Sequence, residues 1–119
     1  MGLNLQRMTY KGQKPNQLHL PSESAAYIPE YTPLHLAALN GHFSICKLII
    51  ENVVKKNPPN NALFTPLHVA AASGNDSIFE IIIESIQGNK NPRDTLGNTP
   101  LHIAAGYGHF RMCFFGFVI

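Results

Sequence analysis

The sequence predicts an all-α solenoid, built from short helix-turn-helix pairs stacked side by side and joined by short β-hairpin connectors. Three observations predict it. A seven-residue run occurs three times, as Thr32-Pro-Leu-His-Leu-Ala-Ala38, Thr65-Pro-Leu-His-Val-Ala-Ala71 and Thr99-Pro-Leu-His-Ile-Ala-Ala105. The copies start 33 and then 34 residues apart, a period typical of repeat architectures. Each copy also carries helix punctuation, with Thr and Pro at its start and Gly41, Gly74 or Gly108 at its end.

The first helix of each pair begins at the threonine. Thr32, Thr65 and Thr99 suit the N-cap, where a hydroxyl oxygen accepts from a first-turn amide, and the proline that follows suits N1, where a missing N–H is no loss. The glycines can take the left-handed conformation that ends a helix, so this helix is about two turns long. Helices this short are marginal alone and must be held by neighbours. The Ala37-Ala38, Ala70-Ala71 and Ala104-Ala105 pairs leave room for close approach. A second helix follows each glycine. Ile45, Leu48 and Ile49, then Ile78, Ile81 and Ile82, recur at helical spacing and are expected in the core, with Lys47, Glu51, Glu80 and Glu84 toward water. Neither helix can bury its apolar face except by stacking on the next pair. The connectors repeat too, as Lys56-Asn57-Pro58 and Lys90-Asn91-Pro92, and both are turn-forming.

These runs resemble the ankyrin repeat family, whose hallmark is T-P-L-H-x-A-A at a 33-residue period, over roughly residues 27 to 113. Repeats fall at about 27–59, 60–93 and 94–119, the last atypical or truncated, behind a flexible leader over 1–26. Asp94-Thr95-Leu96-Gly97-Asn98 is similar to the family's D-x-x-G-x run, in which the Asp and Gly support a protruding hairpin turn. The preceding connector has Asn60 and Leu63 at those two positions, so a turn needing positive φ there is strained or differently built. Tyr27 and Glu30 stand there ahead of the first copy, and no full finger is expected. The third copy departs after Cys113. Phe114, Gly116 and Val118 align with Lys47 and Glu80, with Ile49 and Ile82, and with Glu51 and Glu84. This leaves an apolar end where a terminal repeat needs a polar face.

Composition excludes several classes of function. The chain has 119 residues, 45% hydrophobic and only 13% charged, which sets aside disorder and limits it to one domain. A net charge of +2 is too small for a nucleic-acid stripe. Two cysteines, Cys46 and Cys113, make no disulfide framework. A reducing compartment, cytoplasm or nucleus, fits best. Met1 to Tyr10 lacks the apolar core of a secretion signal, and Gln6 stands where a myristoylation motif needs Ser or Thr. The longest apolar stretch, Cys113 to Ile119, is far below the ~20 residues that span a bilayer.

Six histidines raise the question of a metal. His35, His68 and His102 recur at one position, about one helix-packing distance (~10 Å) apart, whereas zinc ligands must each lie ~2 Å from the ion. Their expected role is a bond to the local turn and threonine. No metal or other cofactor is expected. Cys46 and Cys113 lie two repeats apart, beyond the ~7 Å reach of a disulfide, and read as free thiols. No nucleophile-base set, phosphate loop or carboxylate pair can be assembled, so no enzyme is expected.

The resemblance implies a non-catalytic module that binds a protein partner through hairpin tips and the concave edge of the first helices. Carried over residue by residue, the family's variable contact positions are Tyr31, Leu39 and Asn40; Asn61, Ala62, Phe64, Ala72 and Ser73; and Thr95, Leu96, Asn98 and Tyr107. Aromatic anchors dominate interface energetics, which singles out Tyr31, Phe64 and Tyr107, although each could instead pack on its own hairpin. Self-association through Phe114–Ile119 and a fragment of a longer array are the other readings of the apolar end.

Overall fold

A computed structural model describes the backbone of residues 30–118 and the side chains of residues 30–114. The leader expected over 1–26 lies outside the described residues. Six helices follow in order, α1 (Pro33–Leu39), α2 (Phe43–Asn52), α3 (Pro66–Ser73), α4 (Asp76–Ser85), α5 (Pro100–Tyr107) and α6 (Phe110–Val118). They form three antiparallel pairs. The first helices stack in the order α1, α3, α5 and the second helices in the order α2, α4, α6, so two helix layers share one core.

The start of each first helix is built as its residues require. The Thr32, Thr65 and Thr99 oxygens accept from the backbone N–H of His35, His68 and His102 at 3.2–3.3 Å. In return, each histidine's Nδ1 accepts from the threonine's own N–H at 3.1 Å. This is a reciprocal capping box with histidine in the place usually held by Glu or Gln. At the other end, His42, Asn75 and His109 donate their N–H five residues back, to Ala37, Ala70 and Ala104, the closure that a left-handed residue permits. At Gly74 the need is double. Its φ is +80°, and a Cβ there would come within 2.8 Å of the His109 ring.

The core runs through both layers, from Leu34 through Leu67, Ile78, Phe79 and Ile82 to Ala104 and Met112. One expectation needs correction. Ile49 is buried, but Ile45 and Leu48 are 49% and 59% exposed, whereas Ile78, which matches Ile45, is 2% exposed. The stripe is the same, but the first pair has no pair ahead of it among the described residues. Toward the end of the chain α6 continues through Gly116 to Val118.

Helices α2 and α4 are closed by lysines. Lys56 Nζ donates to the carbonyls of Ile50 and Val53, and Lys90 Nζ to those of Ile83 and Ile86 at 2.7 and 2.6 Å. A cation among the last carbonyls of a helix satisfies orphan acceptors and suits the helix dipole. Asn57 Oδ1 accepts from the Leu67 N–H at 2.9 Å, a further orphan donor at the start of α3. The first Lys-Asn-Pro thus joins one helix end to the next helix start.

Candidate partner-binding face

Both fingers are tight turns built on one plan. Asp94 Oδ1 accepts from the N–H of Leu96 and Asn98 at 2.9 and 2.8 Å, and Gly97 takes φ +85°. Asn60 Oδ1 likewise accepts from Ala62 and Phe64 at 2.9 and 2.8 Å, and Leu63 takes φ +59°. The sequence left the first finger in question, and the structure builds it fully. Two things mark the departure. Leu63 sits in a left-handed conformation that disfavours a Cβ by about 1–2 kcal/mol. Asn60 Nδ2 is buried with no partner among the described residues, a donor that Asp would lack. Thr95 N–H donates to Ala62 O at 3.0 Å, linking the two fingertips.

Histidines tie the first two helix pairs to the following finger. His35 Nε2 donates to Phe64 O at 2.7 Å and His68 Nε2 to Asn98 O at 2.8 Å. With Nδ1 accepting from backbone and hydroxyl, the ring is fixed as the neutral Nε2–H tautomer. Burial drives the His35 pKa down to about 4, against the pull of the Phe64 carbonyl and with help from His68. His68 is lowered for the same main reason, opposed by Asn98 and Asp94. Both nitrogens of both rings are occupied, so neither ring has a lone pair to offer a metal. Among the described residues no three His, Cys, Asp or Glu side chains gather into a metal-binding group. Cys46 and Cys113 are free, and burial pushes the Cys46 thiol up to about 11.

Several residues expected at the contact face do stand in the open. Leu39, Asn40, Asn61, Ser73 and Thr95 are exposed, and Leu96 and Tyr107 are 84% and 65% exposed. Ala62, Ala72 and Asn98 are half-buried. The three aromatics divide. Tyr31 stacks on His35 with centroids 5.3 Å apart, and Phe64 on His68 at 4.8 Å; both are half-buried. Burial also raises the Tyr31 pKa. Tyr107 lies parallel to the His109 ring at 5.9 Å yet keeps most of its surface. Sequence reasoning passed over Leu63 and Phe110, which are 48% and 78% exposed. Leu63 stands in the sequence as a turn residue, and nothing in the pattern singles out Phe110.

None of the described helices is long and apolar enough to cross a membrane. No curated protein matches the sequence. The family model described as "Ankyrin repeats (3 copies)" matches residues 5–94 and again residues 64–115. With capped helix pairs, histidine ties and fingers all in place over the described residues, the chain belongs to the ankyrin repeat family.

Proposed function

We propose that this chain is a non-catalytic interaction module that takes a protein partner along the fingertips and the ends of its first helices. One observation carries this reading. The positions that hold the array together, Thr32, Leu34, His35 and their counterparts in the second repeat, are buried, while Leu39, Leu96 and Tyr107 keep large apolar surfaces in water. These side chains contribute little to the fold and are suited to burial by a partner. In this reading Leu96 and Tyr107, the most exposed of the apolar candidates, lead, with Leu39, Asn40, Asn61, Ser73 and Thr95 around them. Tyr31 and Phe64, stacked on the capping histidines, serve the scaffold first.

The test is affinity capture with the intact chain and with a Leu39→Ser, Leu96→Ser, Tyr107→Ser variant of unchanged circular dichroism. Proteins held by the intact chain and lost by the variant support the reading. An identical captured set from both places the contact face elsewhere.

A fragment of a longer array is the second reading. It is favoured by the outer side of the third repeat, where His102 and Ala105 are exposed although their counterparts are buried. Phe114, 58% exposed, lies on the same helix pair; the side chains of 115–119 lie outside the described residues.

A further inference from the structure

Comparing one position across three repeats separates a front face, turned to the preceding pair, from a back face, turned to the following pair. Ile78 and Met112 are 2% and 0% exposed, but Ile45 at that position in the first repeat is 49% exposed. On the other side, His35, His68, Ala38 and Ala71 are all fully buried, while His102 and Ala105 in the third repeat are exposed. The hydrogen bonds show the same polarity. His35 and His68 donate forward to the carbonyls of Phe64 and Asn98. The residue at that carbonyl's position in the first repeat is Tyr31. His102 Nε2 meets no acceptor among the described residues.

We propose that the chain stacks head to tail on a second copy of itself. The back of the third repeat seats on the front of the first, with His102 Nε2 donating to the Tyr31 carbonyl of the next copy. The occupant follows from continuity with an interface already formed twice within the chain: a back face of this chemistry takes a front face of this chemistry. Ala105 then takes the place of Ala38 and Ala71, and Ile45 the place of Ile78 and Met112. Charge does not oppose the fit. The exposed ion pair across the second and third repeats, Arg111 with Asp76 at 3.4 Å, is replaced at the new junction by Ser44 and Phe110. The contact joins two different surfaces, so a dimer leaves one face of each kind open and further copies can add. It uses the ends of the array and is independent of the lateral contact face proposed above.

The experiment is sedimentation of the full chain over a concentration series, beside Ile45→Glu and Ala105→Arg. Both substitutions are at exposed positions, and circular dichroism confirms that each variant folds. The mass of the intact chain is expected to rise past that of a dimer. Each variant alone should stay monomeric. Mixed together, the two variants should give a one-to-one dimer and nothing larger, because one retains the back face and the other the front. A monomeric intact chain overturns the proposal. Association that survives Ile45→Glu, or a mixture that stays monomeric, overturns the head-to-tail geometry.

Discussion

Acid should loosen this array before it touches the carboxylates, and the buried histidines set the window. His35 is fully buried and held neutral: its Nδ1 faces the Thr32 N–H at 3.1 Å, so a proton there would set donor against donor. In the unfolded chain it titrates at the ordinary 6.5, and in the fold only near 4. Above pH 6.5 both states are neutral and stability is complete. Below it the unfolded chain takes a proton that the folded chain refuses, so stability falls with pH until the folded ring also titrates near 4. Each pKa unit corresponds to about 1.4 kcal/mol, so the difference of two to three units removes about 3 kcal/mol through His35 alone. His68, shifted in the same direction, adds to the loss. Against a total of ~5–15 kcal/mol for an ordinary domain, this is a large share. Urea unfolding followed by circular dichroism at pH 7, 5.5 and 4.5 measures it. Stability that is flat over this range, or a His35→Gln variant with the same slope as the parent, would refute the reasoning.

Three further outcomes follow from named contacts. Changing Asn60→Asp and Leu63→Gly together gives the first finger the chemistry of the second, removing a buried unpaired donor and a strained Cβ; thermal unfolding should show a gain of about 1–2 kcal/mol. Leu67, fully buried in the middle repeat, should lose about 2–5 kcal/mol on Leu67→Ala, and a loss below ~0.5 kcal/mol in urea would mean that the middle core is not packed as described. Lys90→Met leaves the Ile83 and Ile86 carbonyls without their ammonium and should cost about 2 kcal/mol, seen as a lower denaturation midpoint with unchanged slope.

Local chemistry made much of this protein legible in its sequence. Threonine followed by proline suits a helix start and glycine takes a left-handed φ at the helix ends, so all three pairs could be drawn from the residues. The capping role of His35, His68 and His102 followed from a separation of three residues. The lysine caps were also within reach, since Lys-Asn-Pro repeats with the period, but their targets are carbonyls three to seven residues back, which composition does not reveal.

What stacking supplies, the sequence could not state. Ile45 and Ile78 are the same residue at the same helical position, yet one is half exposed and the other buried; the difference lies in whether a neighbouring pair covers it. The forward bonds of His35 and His68 span 29 and 30 residues and exist only once the next finger is in place. Tyr31 and Phe64 stack on histidine rings that the turn brings beneath them. Helix starts and helix ends depend on residues within a few positions along the chain and were legible in the sequence alone. Burial, ring stacking and the choice between scaffold and contact surface depend on neighbours that only the folded array assembles.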